Sequence, residues 1–310
     1  MWGGGMKLDI SKALGRTFAF IFGNILDVLR IIWLPTAIQL TAFFLLMPGY
    51  VRGTAALAVP GEPEEAAEVM SKAIPAFGLL GLFMLIAFAT SVAMVIGLTR
   101  LVLNGEKPRL PFYAGWGADE WRLAGGWALF FVVVGCLVIA LQFGGLLLRG
   151  VLGQGPQAGI IVLLVNLILL GGIVWVSVRL SLLAPATVVN RKIGLGISWE
   201  KTDDEFWSFF GFWAIFAVIF GIAYVVLYFT YLLPPGYFAS FEGMDPTDRS
   251  TVLEAMRKAN DVMVRSYDLS NIDNVMRLTI GALFGPIAGA VIAVAGAAAW
   301  KVTADTPETA

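Results

Sequence analysis

Side chains able to do chemistry are few in this sequence, and they gather at a handful of positions. Acidic groups stand at Asp119-Glu120 and at Asp203-Asp204-Glu205, a pattern that acid–base catalysis or a divalent cation could use. Each lies where an apolar helix is expected to begin, and carboxylates there complement the positive helix end. Capping is therefore the expected role, and Thr202 with Glu205 reads as a capping box that starts a helix. The basic candidates are Arg100 and Arg179, at the ends of apolar runs, with Arg191 and Lys192 shortly after the second. An arginine one turn inside the headgroup region can hold a lipid phosphate through paired donors, so anionic lipid of the inner leaflet is the expected partner. Two amides, Gln142 and Asn166, fall inside apolar runs. Such groups usually bond across to a neighbouring helix; a contact to a solute is the alternative.

What is missing narrows the chemistry further. With no histidine and Cys136 as the single cysteine, a His-based triad, a zinc hydrolase site, a haem ligand and a disulfide are all excluded. No metal and no cofactor are expected. No glycine-rich loop leads into Lys and Ser or Thr, so nucleotide hydrolysis has no support. A net charge of -1 argues against nucleic acid, which would need a basic face.

The elements that must position these residues are membrane helices. Of the 310 residues 58% are hydrophobic and 14% charged, and the mean hydropathy is +0.82. A soluble domain carries about 25% charged residues, so an all-α polytopic membrane protein is expected. The alternating pattern of barrel strands is missing.

Six transmembrane helices are predicted. The first is interrupted by Asp27 and Arg30, three apart and able to pair, and by Pro35, so its clean part, 31–47, falls short of the ~20 residues a span takes. The others cover 77–98, 123–148, 160–183, 206–233 and 275–300. The fourth is expected to stop at Pro185, and the fifth to open with Phe206, Trp207, Phe209, Phe210, Phe212 and Trp213 at headgroup level. Ahead of the first span, Leu8, Leu14, Phe18, Ile21 and Phe22 oppose Lys7, Lys12 and Arg16. This is an interfacial helix or a helical extension of the span. No removable signal peptide is expected.

The units are thus an N-terminal cytoplasmic segment, 1–30, a six-span membrane domain, 31–303, and a tail, 304–310. Lys and Arg near the span ends favour both termini inside. The acidic first outer loop, with Glu62, Glu64, Glu65 and Glu68, should hold a short helix opened by Pro63. The last outer loop, 234–274, should hold a helix with Val252, Leu253, Met256, Ala259 and Met263 along the face it packs on its own protein. Gly285 and Gly289 give a spacing that allows close helix approach, making the sixth span a buried helix or an oligomer contact.

A repeat is visible. Asp119-Glu120-Trp121 before Trp127-Ala128-Leu129-Phe130 parallels Asp204-Glu205-Phe206 before Trp213-Ala214-Ile215-Phe216, and Thr99-Arg100-Leu101 parallels Val178-Arg179-Leu180. Three helical hairpins are the corresponding plan. The string Arg179-Leu180-Ser181-Leu182-Leu183-Ala184-Pro185-Ala186, then Gly194, Ser198-Trp199, Thr202 and Phe206-Trp207, resembles bacterial membrane proteins grouped with the membrane domain of some glycerophosphodiester phosphodiesterases and with the YciC-like family. The resemblance covers 178–216 well and the six-span plan loosely. It implies an integral protein of the bacterial cytoplasmic (inner) membrane. The catalytic domain of the phosphodiesterases is not in this sequence, so their activity is not implied.

Three classes of function follow. The first is a structural or assembly partner in envelope or membrane homeostasis, without catalysis, meeting a membrane-protein partner or a second copy of itself; it suits the scarcity of intramembrane charge. Second comes a lipid-handling protein or carrier of an amphipathic solute. An intramembrane enzyme is third, because no carboxylate pair lies at depth.

Overall fold

A computed structural model describes residues 8–58, 66–108, 116–152 and 156–305. Its described residues are helical with no strand. Six helices are long and apolar enough to cross a membrane, and the protein is an all-α, multi-pass membrane protein. That architecture follows from chemistry: in hydrocarbon every backbone amide needs an internal partner, and a helix supplies it.

Helix α1 (Ile10–Gly23) starts at Asp9, whose carboxylate accepts from the Lys12 amide at 2.9 Å. It stops at Asn24, where φ is -126° and ψ 28°, and α2 (Ile25–Thr54) begins one residue later. The leading helix is thus separate from the span. It packs on α2, on the fifth span and on the last helix, burying Leu8, Ala13 and Thr17, while Phe18 and Phe22 of the expected apolar face are exposed. The small residues win this face because they admit close approach.

The first span is longer than expected. Helix α2 runs 30 residues with Pro35 and Pro48 inside it, and Asp27 sits in its first turn, paired with Arg30 at 3.2 Å and with Lys107 at 3.0 Å. It packs along α3 (Ala66–Asn104) as an antiparallel hairpin. Pro63, expected to open a helix, lies outside the described residues. Helices α4 (Ala118–Leu152) and α5 (Pro156–Arg179) make a second hairpin.

Next come α6 (Leu183–Asn190) and α7 (Leu195–Asp203). The fourth span therefore breaks at Arg179, and Pro185 does not end a helix. It lies in the first turn of α6, where its missing N–H costs nothing. Between α6 and α7 the chain turns so tightly that a β-carbon on Gly194 would stand 2.6 Å from Ala186 Cβ and 2.8 Å from the Thr187 amide nitrogen.

Helix α8 (Phe206–Leu227) continues through a π turn, 228–232, closed by Leu233 N–H to the Tyr228 carbonyl at 2.8 Å. The last span, α10 (Ile272–Asp305), packs more on α3 and α1 than on α8, so the third expected pair is opened by the core. Ala293, Val294, Ala295, Ala297, Ala298 and Ala299 are buried in α10, as its composition suggested. Of the pair Gly285 and Gly289, only Gly289 stands against a neighbour, Met94; Gly285 has none within 4 Å.

Between α8 and α10 lies α9 (Arg249–Arg265). It packs on its own protein as expected, and Asn260 Nδ2 donates to the Ala55 carbonyl at 2.8 Å. The buried stripe is turned, however: Ala255 and Ala259 are buried, and Met256 is exposed.

Three carboxylates organise this segment. Asp245 accepts from Thr247, Asp248 from Ser250 and Asp268 from Ser270, through backbone amides and hydroxyls. These hydrogen bonds hold all three below the ordinary carboxylate range. A lowered folded pKa gives stability that is present above the unfolded value and lost as pH falls through the folded one. Amide protection over 244–271, corrected for intrinsic exchange, should therefore fall between about pH 4 and the depressed values below it, with the spans unchanged. Equal protection across that window would show that these turns do not depend on the charges.

Candidate functional site

Helices α3, α4, α5, α8 and α10 enclose a cavity of about 1290 Å³. Its wall is apolar and aromatic, with Phe88, Trp127, Phe131 and Trp213 among its side chains, and its polar lining is Gln39, Ser91, Ser177 and Ser181. Among the described residues no Lys, Arg, Asp or Glu lines it. The space exists because α4 and α5 pack on the rest of the bundle chiefly near one end, where Leu123, Ala124 and Val178 are buried. Farther along, Leu129, Val132, Val133, Ile139 and Phe143 of α4 are exposed.

The cavity reaches part-way along the spans. Its wall runs from Gly81 to Val95 on α3, Phe210 to Val218 on α8 and Gly285 to Gly296 on α10, which at 1.5 Å per residue is about 12–21 Å. Half of a ~30 Å hydrocarbon core is about 15 Å. One end of the cavity lies toward α6, whose Leu183, Ala184 and Pro185 also line it. The volume also exceeds the ~300–1,000 Å³ of ordinary small-molecule pockets.

Beneath the cavity, the residues of the Arg179-to-Trp207 string converge on the break after α5. The Arg179 carbonyl, left without a helical partner, accepts from Ser198 Oγ at 2.8 Å and Thr202 Oγ1 at 3.2 Å. Ser198 Oγ in turn accepts from the Leu182 amide at 3.1 Å. The Arg179 guanidinium pairs with Asp203 and lies over the rings of Trp175, Trp199 and Phe206, 5.5, 5.5 and 5.7 Å from their centroids. Thr202 is therefore interior to α7 and no capping box forms. Glu205 precedes α8 and accepts instead from the Leu8 amide at 3.1 Å, joining α8 to the start of α1. Nearby, Lys201 stands 4.2 Å from the centroid of Trp300, and burial lowers its ammonium below the ordinary lysine value.

Arg100 makes the counterpart junction. It reaches Asp119 at 2.7 Å and Glu120 at 3.1 Å, and Glu120 also accepts from the Gly117 amide at 2.8 Å at the head of α4. The paired acidic groups are helix-start ligands for arginine, and the parallel between Arg100 and Arg179 has a physical meaning: each ties the end of one span to the start of the next. Both guanidinium groups, expected to meet lipid phosphate, hold protein carboxylates. Arg191, at φ 52°, and Lys192 are exposed on the same face.

The intramembrane amides divide differently. Asn166 is exposed, and its Nδ2 donates to the Val162 carbonyl of its own helix at 2.7 Å; among the described residues it bonds to no neighbouring helix. The backbone carbonyl one turn back outcompetes a partner that is out of reach. Gln142 belongs to α4, but its side chain lies outside the described residues.

The aromatic run at the start of α8 is also corrected. Phe209 and Phe212 are fully buried and only Trp207 stands well exposed, at 77%. The spacing Phe209, Phe212, Phe216 marks one helix face, and that face meets α1, α6 and α10. Among the described residues no group of His, Cys, Asp and Glu could hold a metal ion. No protein-family model, curated protein or solved structure matches this chain.

Proposed function

We propose that this protein handles lipid in a bacterial cytoplasmic membrane, holding the apolar part of a membrane lipid or of a similar amphipathic molecule in the cavity. One observation carries the reading: the cavity is apolar and aromatic, with no charged side chain among the described residues that line it. Charge supports an N-in, C-in orientation that opens the cavity to the inner leaflet, since Lys12, Arg16, Arg100, Arg179, Arg191, Lys192, Lys201 and Lys301 share that face. Arg191 and Lys192 are exposed cations that can meet an anionic headgroup there. The bacterial setting rests on the sequence resemblance over 178–216.

Filling the cavity tests the proposal. Ala217 of α8 lines it, and Ala217→Trp should occupy the space without disturbing the buried face at Phe209, Phe212 and Phe216. Native mass spectrometry of protein purified in mild detergent should show lipid bound to the wild type and at least a tenfold loss in the variant, at equal melting temperature. Equal retention by both proteins would remove the cavity as a lipid site.

A second reading, an assembly partner, is favoured by α5. Asn166 is exposed at mid-span on a helix whose central window buries no residue, and such an amide can bond to another protein's helix. Cross-linking from an Asn166→Cys variant that also carries Cys136→Ala would capture that neighbour; labelling by lipid-soluble reagent alone would count against it.

A further inference from the structure

Gln39 of α2 brings an amide to the cavity wall, where it is partly buried. Its Nε2 is turned onto α3, donating to Thr90 Oγ1 at 2.8 Å, Ser91 Oγ at 3.3 Å and the Ala87 carbonyl at 3.4 Å. Its Oε1 accepts from no described residue, and it is not among the side-chain atoms sealed inside the protein. An amide oxygen has two lone pairs to fill. What Gln39 leaves open is therefore an acceptor within reach of the cavity.

Ser91 adds the complement. The hydroxyls of Thr41, Thr90, Ser177 and Thr279 on the spans each donate to the carbonyl one turn back in their own helix, the usual outlet for such a group. Ser91 does not. It too lines the cavity, and its Oγ accepts from Gln39 while donating to no described residue. A free acceptor and a free donor thus stand side by side. One neutral hydroxyl satisfies both, giving its proton to Gln39 and taking that of Ser91. An ionised group fits badly, because among the described residues no opposite charge lines the cavity.

Depth says which part of a lipid can bring that hydroxyl. At 1.5 Å per residue Gln39 lies midway on α2 between Asp27 and Arg52, about 18–20 Å from each, and Ser91 is about 14 Å from Arg100 on α3. Half of the hydrocarbon core is about 15 Å, so the pair stands near the middle of the bilayer. A phospholipid keeps its headgroup and esters at the boundary, and only its chains reach so far. We propose that the cavity selects a lipid whose acyl chain carries an uncharged hydroxyl deep along its length, held by Gln39 and Ser91. This assignment rests on the lipid-handling reading and gives that reading its specificity. The apolar wall holds a chain, and the polar pair decides which chain.

The experiment moves one hydroxyl. Phosphatidylglycerol with a 12-hydroxystearoyl chain, with a 3-hydroxystearoyl chain and with an unsubstituted stearoyl chain compete, beside 1-octadecanol as a free alcohol, for delipidated wild type, Gln39→Leu and Ser91→Ala in native mass spectrometry. The wild type should prefer the 12-hydroxy lipid over the unsubstituted one about tenfold, the effect of one or two net hydrogen bonds, and should treat the 3-hydroxy lipid as unsubstituted. Gln39→Leu should bind all three phospholipids equally, with its affinity for the unsubstituted one unchanged. Gln39 also joins α2 to α3. Should its variant fail to fold, Ser91→Ala, which removes a single oxygen, should still weaken the preference, and the 12-hydroxy against 3-hydroxy comparison needs only the wild type.

Equal binding of the 12-hydroxy and unsubstituted lipids by the wild type overturns the assignment, leaving the pair to a bound water and the cavity as a lipid site. An equal gain from the 3-hydroxy chain overturns it too, because that hydroxyl lies beside the ester. Tighter binding of octadecanol than of the 12-hydroxy lipid takes the hydroxyl away from an acyl chain and gives it to a free alcohol. Binding of none of the probes overturns the lipid-handling reading itself.

Discussion

Replacing Glu120 by alanine is expected to destabilise the protein by about 3–5 kcal/mol, the usual cost of breaking a buried ion pair from one side. The Glu120 side chain is fully buried, and it serves Arg100 and the Gly117 amide together. Its loss leaves a guanidinium 23% exposed with one carboxylate fewer, and an unsatisfied N–H at the head of α4. A rescue separates charge from packing. Combining Glu120→Leu with Arg100→Met should restore much of the loss, since an apolar pair carries no desolvation penalty, and Asp119 keeps Arg122 at 2.7 Å. Denaturant unfolding in micelles provides the measurement. A Glu120→Ala variant within ~1 kcal/mol of the wild type, the range of exposed pairs, would show that this junction is not closed to water.

Phe212→Ala should cost a similar amount, about 3–5 kcal/mol, as the truncation of a core phenylalanine usually does. Its ring is fully buried and meets Phe216 edge-on with centroids 5.2 Å apart. Around it lie Val178, Leu182, Ala186, Ala295 and Ala299 from three other helical elements, so the hole cannot close by a shift of one side chain. Trp207→Ala, five residues away and exposed, should change stability by no more than about 0.5 kcal/mol. The contrast between the two variants is the decisive reading. Equal losses would mean that the whole run serves as an interfacial belt.

Hydropathy made the six spans legible, because a run of ~20 apolar residues has few other uses. Their ends were harder. The break at Arg179 is invisible in composition, since Leu180 to Leu183 are as apolar as the helix before them; what makes it is a carbonyl captured by Ser198 and Thr202, 19 and 23 residues away. The same two residues are in the string that carries the family resemblance, so a pattern noticed as similarity has a local physical cause. Thr202 was read as a cap because sequence shows the spacing to Glu205 and not the carbonyl waiting elsewhere.

Pairing across spans was partly legible too. The parallel of Arg100 with Arg179 and of Asp119-Glu120 with Asp204-Glu205 placed opposite charges at matching ends, and the structure joins them, using Asp203 in the second case. The cavity could not be read. It is made of the gap between α4–α5 and the remaining helices, and residues such as Ala217, Gly285 and Gly296 look the same in a sequence whether they allow close packing or leave room. The one available hint was the abundance of small residues in α8 and α10.

The one-sided packing of α4 and α5 has a mechanical consequence. Helix α4 has 35 residues, about 52 Å of helix, against ~30 Å of hydrocarbon. Beyond Phe131 its described side chains are largely exposed, so among the described residues little packing fixes the angle at which the outer part of the pair leans. Hydrophobic mismatch sets it instead, at a cost of fractions of a kcal/mol per Å. A thinner bilayer is expected to lay the pair over and a thicker one to draw it upright, and because α4 and α5 supply one wall of the cavity, its width would follow membrane thickness.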